Sequence, residues 1–170
     1  MNLDVAPATR EDRERLLALF ELYAYDFSEM LAIDVAENGR FAVPSIDKYW
    51  SDPRCHAFLF RVDGKLGGFA LVQRQSRLSG DDAITDIAEF SVLRRFRRQG
   101  VGARAAAGLF DRFPGQWEIR ERAANKPAIA FWRRAIRMYL GADGGGFEDF
   151  ALDDERWRGQ VQRFDSRRRG

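Results

Sequence analysis

The sequence holds one cysteine, Cys55, and one histidine, His56. A single thiol excludes an internal disulfide framework and a multi-cysteine zinc site, and a single imidazole excludes a His-rich centre, so no metal is expected. Lysine is scarce too: of 28 basic residues only Lys48, Lys65 and Lys126 are not arginine. Against 26 acidic residues the formal charge is +2, too balanced for a protein that coats nucleic acid or a polybasic membrane surface binder. Long apolar runs are missing, and stretches such as Leu66 to Gln73 fall far short of the ~20 residues of a membrane span. The start, Met1-Asn2-Leu3-Asp4, has no basic segment leading into an apolar one. The expectation is a cytoplasmic protein with neither secretory signal nor membrane partner.

What is present is material for a core: 45% of the 170 residues are hydrophobic, enough for one α/β domain, expected over residues 1–165 with a frayed basic tail at 166–170. Asn2 to Ala6 reads as a strand. Thr9 with Asp12 three residues on resembles a helix cap, and Leu16, Leu17, Phe20 and Tyr23 then recur at helical spacing. A short second helix is expected from Phe27 to Ile33, followed by a loop to Trp50. His56 to Arg61 and Lys65 to Gln73 flank Asp63-Gly64, a hairpin signal. Ala83 to Leu93 is again strand-like. A helix follows to Phe113, then a strand from Gln116 to Glu121 and a helix from Asn125 to Arg134. Gly144-Gly145-Gly146 precedes two last strands, Phe147 to Leu152 and Gln160 to Phe164. Adjacent positions on a strand face opposite ways, so Cys55 and His56 do not form a nucleophilic pair.

The informative stretch runs from Ile87 to Ala103: a strand, the basic loop Arg94-Arg95-Phe96-Arg97-Arg98-Gln99, then Gly100-Val101-Gly102 opening a helix. Helix N-terminal amides are unpaired and carry partial positive charge, so this junction is an anion cradle. The glycines let a ligand approach the backbone, and Arg97 and Arg98 can add charge-assisted bonds to phosphate. No G-x-x-x-x-G-K-[S/T] string occurs. The dinucleotide fingerprint is formally met by Gly100, Gly102 and Ala105, with Glu118 and Glu121 downstream, but its first glycine should end the strand and here a polar loop intervenes. A solvated basic loop or a nucleic-acid contact is the alternative use of these arginines; the latter predicts affinity falling steeply with salt.

Arg97-x-x-Gly100-x-Gly102 resembles the acetyl-CoA pyrophosphate loop of the GNAT superfamily of N-acetyltransferases, and Asn125-x-x-Ala128-x-x-Phe131-Trp132 resembles that superfamily's N-x-x-A-x-x-F-Y helix. The resemblance covers residues 84–134 in detail. It implies a single α/β domain with a mixed central sheet of about six to seven strands flanked by helices, splayed where acetyl-CoA binds. It also implies acetyl transfer from acetyl-CoA to a primary amine, of a small molecule or a protein, by direct attack. Frequent dimers in the family leave a homodimer open.

Carried over residue by residue, the resemblance puts Phe90, Ser91 and Val92 beside the pantetheine arm, with a backbone N–H on the thioester oxygen. It assigns Arg97, Arg98, Gln99, Gly100, Val101, Gly102 and Ala103 to the pyrophosphate. Asn125 caps its helix and reaches the cofactor; Phe131 packs near the pantetheine. An amine of pKa ~10.4 is protonated at neutral pH, so the reaction needs a base. Glu89 is the first candidate and Asp86 the second, placed on the other strand face by simple alternation; pairing with an arginine is the plain alternative for Glu89. The family's thiolate-protonating tyrosine is replaced by Trp132, which leaves Tyr139 as the candidate acid. That replacement keeps open a catalytically inactive acyl-CoA-binding module on the same fold. Tyr23, Tyr25 and Asp26 are candidates for contacts to the acceptor.

Overall fold

The computed structural model describes residues 1–141 and 146–168. Residues 144 and 145 of the glycine run, and 169–170 of the tail, lie outside the described residues. β2 (Cys55–Val62) and β3 (Lys65–Gln73) form the expected hairpin, its turn made by Asp63 and Gly64 at φ 48 and 77, as a two-residue turn that matches strand twist requires. β1 (Leu3–Pro7) adds to one side of it. β4 (Ile84–Val92), β5 (Gln116–Arg122), β6 (Glu148–Asp153) and β7 (Arg158–Asp165) complete a seven-stranded sheet in the order β1-β2-β3-β4-β5-β7-β6. Among the described residues only β4 and β5 pair in parallel.

Helices cover both faces. α1 (Arg13–Leu31) and the short α2 (Lys48–Ser51) enclose a cluster in which Leu16, Phe20 and Tyr49 meet Leu59, Phe69 and Leu71. On the other face α3 (Val101–Arg112) and α4 (Lys126–Leu140) pack Leu109, Phe110, Trp132 and Ile136 on Phe58, Trp117 and Phe164. Each such side chain, fully buried, contributes roughly 1.5–3 kcal/mol.

Three expectations are corrected. No second helix begins at Phe27: α1 runs unbroken to Leu31, because Tyr23, buried Ala24 and Phe27 continue the apolar stripe with no glycine or proline to stop it. It ends where Ala32 turns left-handed at φ 48. α4 continues past Arg134 to Leu140, since Ala135, Ile136, Tyr139 and Leu140 keep its buried face going. The chain after Asp165 is not frayed at its start. Ser166 is buried; its N–H donates to the Gly115 carbonyl at 2.9 Å, and its hydroxyl accepts from the Gly115 N–H at 3.0 Å.

The sheet opens at one place. β4 and β5 pair from Ile84 with Gln116 to Ile87 with Ile119. Beyond that rung β4 stays with β3 to Val92 and β5 stays with β7 to Arg122, so a gap widens between two parallel strands.

Candidate functional site

β4 lines one side of this gap, and its backbone orientation follows from two contacts with β3. The Ser91 carbonyl lies against Gly68, where a Cβ on the glycine would come within 2.1 Å of it, and the Leu93 N–H donates to the Gly67 carbonyl. Positions 91 and 93 therefore face β3, and by alternation the N–H and C=O of Phe90 and Val92 face the gap. The Val92 carbonyl is taken there by Arg97 Nε at 2.7 Å.

At the end of β4 a short 3-10 turn, Arg94–Phe96, leads to Gly100 at φ +77, where a Cβ would meet no atom within 4 Å. Space is open there, but a residue other than glycine would be strained in that left-handed conformation. α3 starts immediately after, so the N–H groups of Val101, Gly102 and Ala103 have no carbonyl one turn earlier in the helix. Gly102 is close to α4: a Cβ there would sit 3.0 Å from Phe131 Cε2 and 3.6 Å from Val92 Cγ2. Phe131 stacks on Phe90 at 5.9 Å between ring centroids and meets Trp132 edge-on. Asn125 caps α4, its Oδ1 accepting from the Ala128 N–H at 3.2 Å. The structure thus gathers Phe90, Val92, Gly102 and Phe131 on the α3–α4 face, and the bare helix start fits a pyrophosphate. Ser91 is buried and belongs to the opposite face.

The loop side chains are divided in their roles. Arg97, expected on phosphate, turns to Val92 and to Asp26 of α1, which also holds Arg94 at 2.7 Å. These two arginines keep the Asp26 carboxyl below its ordinary range despite its partial burial. Gln99 donates to the Arg95 carbonyl at 2.7 Å. Arg98 is exposed, at φ 61.

The two candidate bases lie on one face, contrary to simple alternation. Leu71 pairs with Glu89 but Val72 pairs with Ile87, so Ala88 is an extra residue in β4. This bulge resets the alternation: Asp86, like Glu89, faces the α1 side, while Ile87 packs under α3 and α4. Tyr23 of α1 donates to Glu89 Oε2 at 2.7 Å. Burial pushes the Glu89 carboxyl up, opposed by the Tyr23 hydrogen bond and by Arg77, and nearby Asp86 adds to the rise. Asp86 is fully buried and pairs with Arg120 Nε at 3.2 Å; burial pushes it up and Arg120 opposes. Glu118, on the same face, is held by Ser76 and Arg163.

Tyr139 is not brought to the gap. Its hydroxyl donates to Asp111 Oδ1 at 2.7 Å, near the C-terminal end of α3, and a 12-residue helix puts that end about 16 Å from the glycine turn. Trp132 is buried between Phe90 and Phe110. Of the helix-end residues, Tyr23 reaches the site and Asp26 braces the loop, while Tyr25 is exposed against Phe41.

Sequence reasoning missed Arg77, Arg120 and Trp157. Arg77 Nη1 donates to the Ala88 carbonyl at 3.4 Å. Arg120 and Arg122 lie over the Trp157 ring at 4.8 and 4.6 Å from its centroid. No local pattern announces this group, since its members come from the β3–β4 connection, β5 and the β6–β7 turn.

The sequence matches a family model described as the Acetyltransferase (GNAT) family over residues 16–136. Among solved structures the chain is similar to an acetyltransferase from Thermus thermophilus, at 18% identity and TM-score 0.67, covering 97% of each chain. It is also similar to the PaiA N-acetyltransferase from Thermoplasma acidophilum in complex with coenzyme A, at 10% identity and TM-score 0.61, covering 97% of this chain and 99% of that one. A third is the ribosomal-protein-S18-alanine N-acetyltransferase from Escherichia coli, at 18% identity and TM-score 0.52, covering 95% and 91%. At these identities the likeness is one of fold. No curated protein sequence matches the chain.

Proposed function

The chain belongs to the GNAT acetyltransferase family, and from that premise we propose that it is an N-acetyltransferase, carrying acetyl from acetyl-CoA to a primary amine by direct attack. The observation that carries this reading is the gap between β4 and β5. It has the glycine turn and Phe131 on one face of the sheet and Glu89 on the other. Acetyl-CoA, when bound, supplies an acyl group activated as a thioester. The N–H groups of Val101, Gly102 and Ala103 would hold its pyrophosphate, with the Arg98 side chain and the Gln99 backbone beside them. Phe90 and Val92 offer backbone groups to the pantetheine. The Phe90 N–H faces the gap and would donate to the thioester oxygen of a bound acetyl-CoA, a contact worth several kcal/mol where charge develops.

Glu89 is the base. Burial raises its pKa, and a higher pKa makes its carboxylate a stronger acceptor for the amine proton than a surface carboxylate. Asp86 is committed to Arg120 and acts on Glu89 through its charge. No side chain is assigned to protonate the leaving thiolate, because Trp132 is no acid and Tyr139 is held at Asp111. The test is release of free CoA thiol from acetyl-CoA across a panel of primary amines, wild type against Glu89→Gln. Transfer to at least one amine, lost in the variant, supports the reading. Trp132 favours one other reading, an acyl-CoA-binding module without turnover; acetyl-CoA binding with no transfer to any amine would support that instead.

A further inference from the structure

A cavity of about 450 Å³ opens on the Glu89 face, lined by Arg77, Arg120, Arg122, Arg156, Arg158 and Trp157, together with Asp154 and Glu155. Its volume lies in the range of small-molecule sites. Five arginines face two acids, and ion pairs with these and neighbouring acids leave part of the excess unanswered. Arg156 is answered by Asp154 at 2.6 Å, Arg158 by Asp153 at 3.4 Å and Arg120 by Asp86 at 3.2 Å. Among the described residues Arg77 and Arg122 have no carboxylate within 4.0 Å. Arg122 and Arg120 each lie over the Trp157 ring, at 4.6 and 4.8 Å from its centroid, which holds both guanidinium groups at the cavity wall. Arg77 and Arg122 thus carry positive charge with no protein counter-ion beside it, and the planar fork of each guanidinium suits a carboxylate or phosphate.

Two of the lining arginines also act beside Glu89. Arg77 donates to the carbonyl of Ala88, the neighbour of Glu89, and Arg77 and Arg120 are the two cations whose field acts on the Glu89 carboxyl. We propose that this cavity binds an anionic group, carboxylate or phosphate, on the acceptor amine, so that the preferred acceptors are small amines carrying a negative charge. This inference rests on the acetyltransferase reading for its placement of the amine and on the arginines for its choice of charge.

The test begins with binding, which does not depend on turnover. Phosphoethanolamine against ethanolamine, and β-alanine against β-alaninamide, are titrated calorimetrically into protein saturated with CoA. At least one anionic member is expected to bind tenfold or more tighter than its uncharged-tail partner. That preference should weaken with added salt and fall at least tenfold in Arg122→Met and in Arg77→Met, with CoA affinity unchanged. The two pairs separate phosphate from carboxylate. Absence of any preference for an anion, or its survival in both variants, overturns the proposal. In the thiol-release assay, acetylation of the neutral members alone also overturns it while leaving the acetyltransferase reading intact. Anion-selective binding with no acetyl transfer to any amine of the panel supports the cavity and contradicts that reading.

Discussion

Tyr23 and Glu89, 66 positions apart in the chain, meet in a 2.7 Å hydrogen bond from the phenol to the carboxylate. The bond links α1 to β4 across the sheet face and opposes the effect of burial on the Glu89 pKa. Tyr23→Phe removes the donor and lets the Glu89 pKa rise. The acid limb of the kcat/KM profile should then move to higher pH by about one unit, from a lost hydrogen bond to a charged group of ~1.5 kcal/mol. KM for acetyl-CoA should stay constant. A limb that does not move would separate Tyr23 from the titrating group.

Glu89→Gln should lower kcat by ~10²–10⁴ at the pH optimum and flatten the acid limb, with acetyl-CoA affinity retained. Steady-state kinetics across pH checks both. An unchanged profile would remove Glu89 from the role of base.

Asp86, one rung before the last between β4 and β5, and Arg120, one residue past that last rung, form a buried pair. Arg120→Met leaves Asp86 without its cation and should destabilise the protein by ~3–5 kcal/mol, whereas the double variant Asp86→Asn with Arg120→Met should recover part of the loss. Urea unfolding of the three proteins gives the comparison. If the double variant is no better than the single one, the pair is not the source of the cost.

Glu121 is buried, and neither carboxyl oxygen has a hydrogen-bond partner among the described residues. Burial first, then Asp149, pushes it from 4.5 up to about 8. The folded state therefore keeps a proton that the unfolded chain loses above pH 4.5, and stability falls as pH rises from there through about 8. Glu121→Gln should melt close to wild type at pH 5 and several degrees above it at pH 9. Parallel melting curves for the two proteins would contradict the assignment.

The seven strands, the hairpin turn at Asp63-Gly64 and the glycine turn before α3 were legible because each has a local cause: alternation, a turn that needs positive φ, a helix start. Asp86 was assigned to the wrong face because a single extra residue, Ala88, breaks the alternation, and nothing at Ala88 marks a bulge without the register of β3. Tyr139 looked available because the sequence pattern ends the helix at Arg134 and gives no sign of Asp111 beside it. Arg97 fits the motif, yet its guanidinium turns to Asp26, an acid far away in the chain. The arginine cavity was invisible for the same reason, being assembled from three separated segments.

The most direct test of the account is the thermal midpoint of the CoA-free protein with and without saturating acetyl-CoA, in wild type and in Gly102→Glu. At 100 times Kd the ligand should add about 2.7 kcal/mol, a rise of roughly 5–10 °C for a chain of this size. The variant, whose new side chain fills the start of α3 beside Phe131, should fold and show no rise. A folded wild-type protein whose midpoint does not respond to acetyl-CoA would contradict the account.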